Sequence, residues 1–143
     1  MSSTRKANLV VREVGNLVLL RQNSETATDA EWDAMLTIIR SLRSRLTKVK
    51  FIVRTDGGGP NPAQRKSLEL ALGGEPARVA VVSDHLKVRF VTSTIALFQK
   101  ELKSFMVKEF AQACDHLNLL AAERRQAEMT LHEMERDLAG PST

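Results

Sequence analysis

Three short groupings in the sequence carry residue types that do chemistry. Ser83-Asp84-His85 contains the nucleophile, orienting carboxylate and base of a hydrolytic triad. Sequence neighbours cannot line up in one chain of hydrogen bonds, so capping of the helix that follows is the stronger reading. Cys114, Asp115 and His116 point in different directions around a helix, whereas two metal ligands on one helix need a step of three or four. Glu128 and His132 have that step but no third ligand, and a solvated i,i+4 pair explains them as well. None of the three groupings gives a catalytic residue or a metal site, and no cofactor is expected.

A fourth stretch has more to offer. The apolar run Phe51-Ile52-Val53 ends at Arg54-Thr55-Asp56-Gly57-Gly58-Gly59-Pro60-Asn61-Pro62 and then turns helical. The glycines let the backbone double back, Asn61 suits an N-cap, and Pro62 suits the first helical position. A loop from a buried strand into a helix N-terminus is where α/β proteins keep their working surface. The loop lacks the Gly-Lys-Ser/Thr ending of a nucleotide P-loop and the Gly-x-Gly-x-x-Gly spacing of a dinucleotide site. Backbone amides at the helix start, with Arg54, Arg65 and Lys66 nearby, would still suit a nucleotide phosphate or a lipid headgroup. The plain alternative is a connection whose glycines only turn the chain.

The elements that must hold this loop read as follows. Leu9–Val14 and Leu17–Leu20, split by Gly15-Asn16, form an antiparallel hairpin. Thr28-Asp29-Ala30-Glu31 is a capping box opening a helix with Trp32, Met35, Leu36, Ile39 and Leu46 on one face. Trp32 and Met35 have the spacing of core residues rather than of a ligand box. The helix after Pro62 closes at Gly73-Gly74, and Arg78–Val82 has the continuous apolar character of a strand buried on both faces. Ser83 or Asp84 caps a helix whose stripe is Leu86, Phe90, Val91, Thr94, Ile95, Phe98 and Leu102, and Ser104–Val107 reads as a last, short strand.

From Glu109 the pattern is helical to Gly140-Pro141. Leu117, Leu120, Arg124, Ala127, Leu131, Met134 and Leu138 follow alternating steps of three and four, a heptad seam with one misfit at Arg124. Such a seam either pairs with a second chain, through Leu120, Ala127, Leu131, Met134 and Leu138, or folds back on its own domain. The expected fold is therefore α/β: a mixed, mostly parallel sheet of about five strands with an N-terminal β-hairpin and four helices, the last extended. Residues 1–7 are expected as a disordered N-terminus, 8–121 as the domain, 122–138 as a helical extension and 139–143 as a tail.

The 143 residues, 43% hydrophobic, are enough for one core. A charge of +4 is mild, and the basic residues Arg40, Arg43, Arg45, Lys48 and Lys50 have no interleaved aromatics, which argues for a solvated helix face over a specific nucleic-acid surface. One cysteine makes no internal disulfide, no basic-then-apolar leader opens the chain, and no apolar run is long enough for a transmembrane segment. A cytoplasmic location is expected.

Over residues 8 to 120 the element order resembles the STAS domain family, in particular its SpoIIAA-like branch. Lys50-Phe51-Ile52-Val53-Arg54-Thr55-Asp56-Gly57, Arg78–Asp84, and Phe105–Leu117 with Glu109-Phe110-Ala111-Gln112-Ala113 carry the likeness. The resemblance implies a bacterial-type, non-enzymatic regulatory or signalling module that binds a protein partner, some relatives binding nucleotide or lipid. In anti-sigma-factor antagonists a Ser follows the Asp at the end of the third strand and is phosphorylated. Here Gly57 follows Asp56, so the phospho-switch lacks its hydroxyl, and Thr55, Ser67 and Ser83 do not fit the family's pattern. The expected partner surface is Arg54, Thr55, Asp56, Gly57, Gly58, Gly59, Asn61, Arg65 and Lys66 with Ser83 and Asp84, and the extended helix is expected to support a homodimer. The alternative function is a small-ligand binder using the same loop.

Overall fold

The structure, a computed structural model, describes residues 6–96 and 99–140; the expected stripe positions Phe98 and, for its side chain, Thr94 lie outside the described residues. Strands β1 (Leu9–Val14), β2 (Leu17–Gln22), β3 (Lys50–Thr55), β4 (Arg78–Val82) and β5 (Leu102–Phe105) form one five-stranded sheet in that order. β1 pairs antiparallel with β2 across the Gly15-Asn16 turn, and every later pair is parallel. The α/β sheet of the expected kind is thus present, with its hairpin at one edge.

Sequential parallel strands fix where the helices go. Crossovers share one hand, so moving one strand at a time in one direction places every crossover helix on the same face. Helices α1 (Asp29–Ser41), α2 (Pro62–Leu72) and α3 (Leu86–Ile95) do cover one face, against Val18, Leu20, Phe51, Val53, Val79 and Val81. The other face presents Leu17, Leu19, Ile52, Ala80 and Val82 and is left to the chain after β5. Helices α4 (Phe110–His116) and α5 (Ala121–Met134) cover it with Ala113, Leu117, Ala127, Leu131 and Met134.

Several sequence expectations change here. The long C-terminal helix is two helices: α4 ends at His116 with Leu117 as its C-cap, Asn118 takes a left-handed φ of 55°, and α5 starts afresh after Leu120. The heptad-like spacing of Ala127, Leu131 and Met134 serves the sheet, because an uncovered apolar face needs the same helical stripe that a coiled coil does. Leu120 is 71% exposed and Leu138 lies beyond α5 in a β-bridge to Ala7, so the five seam residues do not share one helix face. The first helix stops at Ser41 and continues to Lys48 only as 3-10 turns. Leu102 belongs to β5 rather than to the preceding helix, while Leu86 and Phe90 face outward, 79% and 76% exposed.

The two helical caps read from sequence are in place. Thr28 Oγ1 accepts from the Glu31 amide at 3.1 Å while Glu31 returns to the Thr28 amide at 2.9 Å. Asn61 and Gln64 make the same reciprocal pair at the start of α2. Among the described residues no helix is long and apolar enough to cross a membrane.

Candidate functional site

The glycine loop leaves the carboxyl end of β3, at the rim of the parallel sheet. Its backbone is folded inward. Thr55 Oγ1 donates to the Gly58 carbonyl at 2.6 Å and accepts from the Gly57 amide at 3.2 Å. The Gly58 amide donates to the Asn23 carbonyl at 2.9 Å, and the Asp56 amide to that of Gln22 at 3.0 Å. At the start of α2 the Asn61, Gln64 and Arg65 amides also donate within the chain, while Pro60 and Pro62 have none to offer. The expected cradle of free amides for a phosphate is therefore largely occupied by the protein's own acceptors, on the β2–α1 connection, on Thr55 and in the α2 capping box.

What the loop does line is a cavity of about 400 Å³ on the α1–α3 face. It lies where the apolar cluster under α1 and α2 meets the one under α3, Val53 and Val79 packing against both. Trp32, Met35, Phe51, Val79, Val91 and Ile95 supply wall, and Gly57 to Asn61 form one rim. The buried polar side chains of the wall are bonded to backbone. Gln99 accepts from the Ala77 amide and donates to the Glu75 carbonyl, both at 3.0 Å. Thr92 donates to the Val88 carbonyl at 2.8 Å, Gln22 to that of Glu25 at 2.9 Å, and the Trp32 indole to that of Gln64 at 3.0 Å. The interior consequently offers hydrocarbon, and Arg65 and Lys87 are the only charged side chains among its described lining residues.

Residues expected at one site divide between two faces. Thr55, Gly57, Gly58, Gly59, Asn61 and Arg65 line the cavity; Lys66 is exposed on α2 outside it. The His85 ring packs over Gly57, where an added Cβ would come within 3.4 Å of its Nδ1, so the β4–α3 turn does join the glycine loop. Ser83 is buried and accepts from the His85 amide at 3.2 Å, and Asp84 accepts from the Val107 amide at 2.9 Å, so the three neighbours of the supposed triad have separate structural duties.

Arg54 and Asp56 point to the opposite face, where they meet two residues that the sequence did not single out. Arg21 on β2, directly across from Arg54 in the sheet register, sends Nη2 to both Asp56 oxygens at 3.2 and 3.1 Å and to Glu135 Oε1 at 3.2 Å. Arg54 lies 3.5 Å from Asp56 Oδ1. Burial, then the neighbouring Arg21 charge, pulls the Arg54 pKa below its usual value, and Asp56 works against both. Arg21 Nε is buried with no partner among the described residues, a deficit of about 1–3 kcal/mol for an unmet donor. The sequence signal for this cluster was an arginine at the carboxyl end of each of two adjacent parallel strands.

Cys114 is buried, and burial pushes its thiol up to about 11, which removes it from nucleophilic chemistry near neutrality. Among the described residues no group of three or more His, Cys, Asp or Glu side chains could hold a metal ion.

No protein-family model matches this chain. No curated protein matches it in sequence either.

Proposed function

We propose that this chain is a non-enzymatic, cytoplasmic binding module, of the regulatory kind that its STAS-like element order suggests. Its ligand is an amphipathic small molecule with one apolar chain and an anionic end. The observation that carries this reading is the cavity between α1–α2 and α3, whose volume falls in the roughly 300–1,000 Å³ range of small-molecule sites. The buried polar side chains of its wall, Gln99, Thr92 and Gln22, are engaged with backbone, and among the described lining residues the charged ones are the two cations Arg65 and Lys87. A bound apolar chain would cover the wall's hydrocarbon, at about 25 cal/mol per Å² of apolar surface removed from water. A fatty acid fits these terms better than a nucleotide does, because the loop amides that would hold a phosphate are engaged.

Thermal shift and native mass spectrometry with straight-chain carboxylates from octanoate to palmitate, beside ATP and inorganic phosphate, test the reading. Each added methylene contributes about 0.8 kcal/mol, so affinity should climb about fourfold per carbon until the cavity is full. Ligand at about 100 times its dissociation constant should add roughly 2.7 kcal/mol of stability. A flat response along the series, or a shift with ATP alone, rejects it.

A second reading, docking of a protein partner at the same end of the sheet, has Leu86 and Phe90 in its favour. They stand exposed one turn apart on α3, just after His85 and the loop that it covers. Recovery of a partner that is unchanged when Gly57–Gly59 are replaced by an inert turn and Leu86 and Phe90 by serine would reject this second reading.

A further inference from the structure

Two segments compete for one buried arginine. Asp56 is the root of the loop at the cavity mouth, and Glu135 opens the 3-10 turn Glu135–Asp137 that leads from α5 into a C-terminal strap. The strap is tied down by Ala7, whose amide donates to the Asp137 carbonyl and whose carbonyl accepts from the Ala139 amide, both at 2.8 Å. Both carboxylates approach the same nitrogen, Nη2 of Arg21, whose side chain is only 5% exposed. Arg54 stands beside it as a second cation and Glu135 Oε2 faces His132 Nδ1 at 3.8 Å. A nitrogen shared in this way binds each carboxylate less well than it would bind either alone, and the two carboxylates repel each other.

We propose that Arg21 is a shared lock coupling the C-terminal strap to the cavity mouth with opposite sign: strap docking through Glu135 loosens the hold on Asp56, and strap release tightens it. Coupling of this kind is reciprocal, so freeing Asp56 tightens the strap. The arrangement makes the strap a regulator of access, because Gly57–Gly59 follow directly on Asp56 and line the mouth. The regulatory part rests on the cavity being a ligand site; the coupling itself does not.

Amide exchange on the full chain tests the coupling without any ligand. Glu135→Gln keeps the shape and removes the charge, and should slow exchange of the Asp56 and Gly58 amides about two- to fivefold, as befits pairs whose carboxylates are partly exposed. Asp56→Asn should slow exchange of the Ala139 amide by a similar factor. Glu101→Gln, which removes a surface charge paired with Arg78 and touches neither the strap nor Arg21, should change neither. Unchanged or faster exchange in both lock variants overturns the proposal. Stopped-flow binding of laurate then separates the two claims: slower uptake by Glu135→Gln supports strap control of the mouth, and equal uptake overturns it. Laurate that fails to bind the unaltered chain overturns the cavity reading and leaves the exchange result to decide the lock.

Discussion

Gly58 lies against Asn23 so closely that its amide donates to the Asn23 carbonyl at 2.9 Å and an added Cβ would stand 2.6 Å from that same oxygen. The Glu25 carbonyl blocks the position further. This is a close approach of two backbones, which only a residue without Cβ allows. Gly58→Ala should therefore destabilise the fold by about 1–3 kcal/mol or more, the range for overpacking. Gly59→Ala, where nothing lies within 4 Å, should be neutral or stabilising by up to about 1 kcal/mol. Urea denaturation of both variants checks the contrast, and equal effects would mean that the loop does not close on the β2–α1 connection.

Met134 is fully buried against the sheet together with Ala127, whereas Leu120 is exposed. Met134→Ala should cost about 2–5 kcal/mol, and Leu120→Ala should stay within about 0.5 kcal/mol. Removing residues 122–143 should unfold the domain rather than split a dimer, since it strips the cover from Leu19, Ile52 and Val82. A truncated chain that keeps its near-ultraviolet signal would return α5 to the role of an extension.

Much of this architecture is legible in the residues. The hairpin shows in the Gly15-Asn16 turn between two apolar runs, and the starts of α1 and α2 in their capping boxes. The role of the last helix is not, because steps of three and four serve a sheet face and a coiled-coil seam alike. The deciding break at Asn118 carries no glycine or proline to announce it. Nor is the cavity legible: its lining is drawn from three helices and four strands, a convergence that no local pattern encodes. The glycine run marks the turn at the end of β3, but not what its amides bond to. The acceptors of the Asp56 and Gly58 amides, on Gln22 and Asn23, belong to a segment far away in the chain, and the Gly57 amide turns back on Thr55.

Cys114 offers a pH test of the packing beneath α4. Its thiol ionises near the ordinary 9.0 in an unfolded chain and near 11 in the folded one, chiefly because burial disfavours the thiolate. The fold thus holds the proton more tightly, so this contribution to stability is complete below about pH 9 and is lost as the pH rises through about 11. The melting temperature of the parent chain should fall more steeply over that interval than that of Cys114→Ala. Below pH 8 the native thiol should resist maleimide, and rapid labelling there would contradict the burial.

Val91 faces the cavity from α3 and is only partly buried, so the space beside it can be filled without displacing packed neighbours. Val91→Phe should raise the melting temperature of the ligand-free protein, because the ring gains contacts that the wall now lacks. The same change should weaken laurate binding by at least about tenfold, more than the 1.4 kcal/mol that corresponds to it being recoverable from two lost methylenes. In a core without a void the same substitution would destabilise by about 1–3 kcal/mol. The sign of the shift in the ligand-free chain therefore decides whether the space between α3 and the α1–α2 pair is real, and the binding change decides whether the ligand uses it.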